Sequence, residues 1–232
     1  MKAEGDTAKL AKLIGSPEAS SAPTLPETHS HGDPVTAVLI ESFLAWRTGE
    51  EAARHAFERL LAETVDFNEA RVLLVEELVE VFGKTSPHAE ERAVRLRRAL
   101  NDVYEREHSV SMSFLLRQGK REARGYLETL DGMPPFVAAR VTLLALGGHA
   151  FPIDERHVAA LADAGVLSQE DESGAVSAWM ERQFRAGEAF AAYQSLETAC
   201  AAAPAPKKKR QSSRRPASGK KTKTNGKKAR GS

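Results

Sequence analysis

The chain has 232 residues, 41% of them hydrophobic and 28% charged, enough apolar material for one or two packed domains and too much for a wholly disordered polymer. Its single cysteine, Cys200, excludes an intramolecular disulfide and leaves too few thiolates for a Cys-rich zinc or iron–sulfur site. The net charge of +1 hides a split: twelve of the 33 basic residues and none of the 32 acidic ones fall in 207–232, so residues 1–206 carry −11 and the tail +12.

In chain order, a short helix is predicted over 7–14, followed by a connector rich in Pro, Ser and Thr at 16–34. The next helix, 34–47, carries Val35, Val38, Leu39, Phe43 and Trp46 on one stripe at three- and four-residue spacing. Another, 50–64, buries Ala53, Phe57, Leu60 and Leu61. Asp66-Phe67-Asn68-Glu69 reads as a capping box ahead of a helix over 72–82 that ends at Gly83. Ser86-Pro87 supplies a cap and a first-turn proline for a long helix reaching Tyr104. Shorter helices follow at 111–118, 121–130, 135–146 and 154–164, and a last one at 173–202 with a break at Gly187. β-branched alternation is absent, so the fold class is all-α. The expected divisions are 1–33, a helical lobe over 34–153, a second over 154–203, and a basic tail over 204–232 that has no large apolar residue and is expected to be disordered.

The tail residues Lys207, Lys208, Lys209, Arg210, Arg214, Arg215, Lys220 and Lys221 suit a polyanion bound by counterion release; they read as a DNA-anchoring arm or as a solubilising extension. No apolar run reaches the roughly 18 residues of a membrane span, and Met1 to Asp6 opens no signal peptide, so a soluble cytoplasmic monomer is expected, at the nucleoid in a bacterium or in the nucleus of a eukaryote. The seven histidines show no paired metal-ligand spacing, and Ser111 and Ser113 have no evident base, so no metal site or serine hydrolase is expected.

The informative stretch is Leu130-Asp131-Gly132-Met133-Pro134-Pro135-Phe136, where a helix ends, turns through one glycine and restarts on proline. It reads as an ordinary αα-turn or as a hairpin that offers helix-start N–H groups to a phosphate without reading sequence. Phe151-Pro152-Ile153-Asp154 and Val158 follow after a second glycine-containing turn.

In this order the residues resemble the helix–hairpin–helix DNA glycosylases of the endonuclease III and adenine-glycosylase group. Asp33-Pro34 and Ile40 to Thr48 occupy the place of that family's opening helix and substrate-side loop. The resemblance implies a two-lobed helical protein that binds damaged duplex DNA between its lobes and flips a nucleotide into a pocket, since a stacked base is inaccessible to catalytic groups. Asp154 matches the catalytic aspartate, whose carboxylate stabilises the cationic sugar, although a helix N-cap gives the same pattern. Glu41 matches the acid that protonates the departing base in the adenine branch, and also fits a solvated helix glutamate. Trp46 and Arg47 sit where relatives fill the gap left by a flipped base; Trp46 at helical spacing also fits a core. Gly132, Met133 and Pro134 form the hairpin that would grip DNA.

Three departures narrow the expectation. Phe136 replaces the lysine that forms a Schiff base, so no lyase chemistry is expected there. Pro134 replaces the second hairpin glycine and removes an N–H donor. The cluster cysteines are absent, so no cofactor is expected. What remains is a base-excision-repair protein with at most monofunctional glycosylase activity, or a catalytically silent DNA- or protein-binding module on the same scaffold.

Overall fold

The computed structural model describes residues 3–18, Leu25 and 31–202, and among these all regular structure is helical. The basic tail lies outside the described residues, as do the eight tail cations singled out above. The described chain forms α1 (Thr7–Ile14), α2 (Pro34–Ala45), α3 (Glu50–Glu63), α4 (Phe67–Val72), α5 (Val75–Phe82), α6 (Ala89–Glu107), a 3₁₀ turn (Ser113–Arg117), α7 (Lys120–Glu128), α8 (Pro135–Leu144), α9 (Glu155–Asp163), α10 (Ser173–Gln183) and α11 (Ala189–Ala202).

Local signals set most of these boundaries. Asp33 caps α2, its Oδ1 accepting from Val35 and Thr36 N–H at 2.9 and 3.1 Å, and Pro34 takes the first turn, where a missing N–H costs nothing. Asp66 accepts from Glu69 N–H at 2.7 Å, so helix begins directly at Phe67 and breaks at Leu73 and Leu74 instead of waiting for Val72. Ser86 and Pro87 do not start α6. The residue before it is His88 in a left-handed conformation (φ 53°), and Ser86 Oγ instead accepts from the Arg92 guanidinium at 2.7 Å. The final predicted helix is two, interrupted between Gln183 and Ala189.

Buried apolar side chains form two clusters. The first is built on α2 and runs through α3, α5, α6, α7 and most of α8. The second joins Leu143, Phe151 and Ile153 to α9, α10 and α11, and it also takes in Ala3, Leu10 and Ile14 from the N-terminus. Residues 3–14 therefore contribute to a core: Asp6 caps α1, and its own N–H donates to Val166 O at 2.7 Å. Ten of the twelve residues of α2 are buried, so the helix is surrounded and its stripe does not define one inner face. Central burial of α2 fixes the turn at its end, Trp46 to Gly49, against the start of α9. That juxtaposition is the seam between the lobes.

Candidate functional site

Asp154 stands at the N-cap of α9 in extended conformation and is buried, with no side-chain exposure. Its Oδ1 accepts from Arg156 N–H at 3.0 Å and lies 2.6 Å from His157 Nδ1. Its Oδ2 accepts from Arg47 N–H at 2.8 Å and Arg156 Nε at 3.1 Å. Burial disfavours the charged form, but His157, Arg156 and the Arg47 N–H outweigh it and hold the carboxyl well below the usual carboxylate range. Asp154 thus favours its ionised form, and both its oxygens are engaged by groups of the same chain.

The network continues across the second lobe. His157, wholly buried, reaches Glu197 Oε1 with Nε2 at 3.0 Å, and Tyr193 Oη donates to the same carboxylate at 2.8 Å. Burial opposes charge on His157, yet hydrogen bonds to two carboxylates raise its pKa above the ordinary histidine value. Burial likewise pushes Glu197 up, and His157 and Arg156 bring it down to about 2. Asp154 and Glu197 are therefore matched to Arg156 and His157 in a largely buried network. The Phe136 ring packs 6.0 Å from the imidazole and forms an apolar wall beside it.

From the first lobe, Arg47 closes this arrangement. It adopts a left-handed conformation (φ 66°) that turns its N–H onto Asp154. Its guanidinium meets Glu155 at 2.7 Å and Glu91 at 2.8 Å and lies 4.4 Å over the Trp46 ring. Arg95 approaches the same ring at 5.6 Å, and Trp46 is 7% exposed. In the structure Trp46 belongs to the core and Arg47 to the seam. Gly49 shows how tight the closure is, since a Cβ there would come within 2.9 Å of Arg156 Nη1.

Glu41 lies apart from Asp154 in the hydrogen-bond pattern. It is half-buried on α2, and burial raises its pKa against the pull of Arg140, with Glu50 adding to the rise. Arg140 is itself buried and is held by both oxygens of Glu50 at 2.8 and 2.9 Å and by Ser42 Oγ at 3.1 Å.

Gly132, Met133 and Pro134 form the turn between α7 and α8. Gly132 has φ 76°, and a Cβ would lie 3.0 Å from Arg95 O on α6, so glycine is required by conformation and by space. Met133 is half-buried against the first core instead of standing as a free tip, and Pro134 is buried at the N-cap of α8. A cavity of about 280 Å³ lies between this turn and α10, lined by Met133, Phe136, Phe151, Ile153, Arg124 and Glu181 among others. Neither Asp154 nor Glu41 lines it.

No family model and no curated protein matches the sequence. Solved structures do match the fold. One is a trapped endonuclease III–DNA covalent intermediate, with TM-score 0.55 and 14% identity over 82% of this chain and 80% of that one. A thermostable thymine-DNA glycosylase matches at TM-score 0.54 and 18% identity, over 87% of each chain. An H. pylori 3-methyladenine DNA glycosylase bound to 1,N6-ethenoadenine matches at 0.51 and 14%, over 84% and 92%. The chain has the all-α helix–hairpin–helix fold of the DNA glycosylases.

His157, Glu197 and Tyr193 were not singled out by sequence reasoning. A signal was present: Glu197 follows Tyr193 by four residues, one helical turn, and His157 follows Asp154 by three.

Proposed function

We propose that the chain is a duplex-DNA-binding protein of the base-excision-repair type, in which the glycosylase scaffold is kept and Asp154 does not perform glycosidic hydrolysis. The observation that carries this reading is the engagement of Asp154. A carboxylate that stabilises an oxocarbenium ion needs an oxygen facing the sugar, and both oxygens here face cations and N–H groups of the same chain. Buried partners of this kind release an ion only at a cost of several kcal/mol, roughly 3–5 when one is removed outright. Support for DNA as the partner comes from the fold, the hairpin turn and the +12 segment at 207–232.

One observation favours a second reading, a monofunctional glycosylase. Glu41 is half-buried with a raised pKa, the property of a general acid that protonates a leaving base. The two readings separate in one experiment. Duplexes bearing oxidised, deaminated or mismatched bases are incubated with the full chain and heated in alkali to reveal abasic sites, with binding followed by anisotropy. Binding without strand scission is the expected result. Scission lost on Glu41→Gln or Asp154→Asn contradicts it.

A further inference from the structure

Charge is segregated within the folded body as well as between body and tail. Residues 50–83 hold nine acidic and three basic residues, and 150–202 also hold nine and three, whereas 84–149, which contain the hairpin, hold eight acidic and eleven basic. Five of the nine arginines of that basic stretch are paired with carboxylates: Arg95 to Glu91 at 3.1 Å, Arg98 to Asp131 at 4.0 Å, Arg106 to Asp102 at 2.7 Å, Arg124 to Glu128 at 2.8 Å and Arg140 to Glu50. Arg117 and Arg121 are different. Both are exposed, and neither makes a hydrogen bond or ion pair among the described residues. Lys120 between them donates only to Gly147 O, and Leu116 beside them is 52% exposed.

A stabilising role does not account for the cluster. Lys120 and Arg121 occupy the first turn of α7, where the helix dipole disfavours cations, and three positive charges within five residues repel one another. Position matters as much as charge. The Lys120–Gly147 contact joins the start of α7 to the turn after α8, the end opposite the Gly132 hairpin. Nine residues of α7 separate the two ends, about 13 Å at the helical rise.

We propose that Arg117, Lys120 and Arg121 form a second nucleic-acid contact, taking the phosphate backbone of the bound duplex beyond the hairpin, at the far end of α7. The proposal rests on the reading of the chain as a duplex-binding protein. Phosphate is preferred to an acidic peptide because the patch shares its chain with a hairpin and a polybasic tail suited to the same polyanion. Leu116 supplies apolar contact with the sugar edge between the cations.

The test uses the full chain and a 12-base-pair duplex. Arginine-reactive dicarbonyl labelling, read by mass spectrometry, follows Arg117, Arg121 and Arg98, which is exposed beside the hairpin. Arg98, Arg117 and Arg121 are all protected by bound duplex. Arg117→Gln/Arg121→Gln lowers the salt slope of binding by about 1.8, at about 0.9 for each phosphate no longer neutralised, with helicity unchanged by circular dichroism. Labelling of Arg117 and Arg121 that duplex leaves unaltered overturns the proposal, as does a slope unchanged by the double variant. Equal protection by polyglutamate also overturns it, since the patch would then be an acidic-peptide site. If duplex still binds in any of these cases, the proposed function stands without this second site; if no duplex binds, that function falls as well.

Discussion

The seam around Asp154 and the outer end of the hairpin helices hold similar residues in opposite states. At the seam, Arg47, Arg156 and His157 are matched to Asp154, Glu155 and Glu197 within 2.6–3.2 Å, with Asp154 and His157 wholly buried. Around the start of α7, Arg117 and Arg121 face solvent and pair with no carboxylate among the described residues. A charge satisfied inside its own chain adds rigidity and has nothing left for a ligand, whereas an unpaired cation on the surface costs little to hand to a phosphate. On the proposed reading, the phosphate contact and the Asp154 network therefore belong to different regions.

Breaking the seam gives the largest expected effect. Asp154→Ala leaves His157, Arg156 and the Arg47 N–H facing a void, and urea unfolding should show a loss of about 3–5 kcal/mol. A loss under about 1 kcal/mol means that the carboxylate is not held as described.

The pH dependence comes next. Glu197 and Asp154 have lowered pKa values, so their contribution is complete above the unfolded carboxylate range and is lost as pH falls; for Glu197 the window runs from about 4.3 down to about 2. His157 has a raised pKa, so its contribution is complete below about 6.5 and disappears as pH rises through the folded value. Thermal unfolding should be most resistant near pH 5–6.5 and weaken on both sides. Glu197→Gln should remove part of the acid limb and cost about 3 kcal/mol at the plateau. A flat profile between pH 2 and 6 refutes the ion network.

Two smaller changes sharpen the contrast. Gly132→Ala drives a Cβ toward Arg95 O and demands a positive φ, costing about 1–3 kcal/mol and weakening duplex binding without touching the seam. Arg47→Gly keeps the N–H that meets Asp154 and relieves the left-handed strain while losing pairs to the partly exposed Glu91 and the exposed Glu155. Its net effect on stability should be within about 1 kcal/mol. A loss as large as that of Asp154→Ala would move the closure from the backbone to the guanidinium.

How much of this was legible follows from how local each cause is. Asp33, Asp66 and Asp154 announce helix starts through side chains that bond N–H groups two or three residues away, and Gly132 with Pro135 announces the hairpin. The all-helical class followed from such signals. The state of Asp154 did not, because Arg47 N–H reaches it from 107 positions away and Glu197 closes on His157 from 40. The packing of α1 into the second core was hidden likewise, since the Pro- and Ser-rich residues after Ile14 read only as a connector. Local chemistry marks an acid at a helix start; only the tertiary contacts decide whether it faces a ligand or its own chain.

The most direct test is amide hydrogen exchange at Arg47, whose N–H is bonded to Asp154 Oδ2. It should be measured in the free chain and in complex with a duplex carrying an abasic-site analogue. Equal protection of Arg47 and of residues 154–157 in both states is the predicted result, with new protection confined to the hairpin and α7. Loss of protection at Arg47 on binding would show the seam opening around an extruded nucleotide and would contradict the account.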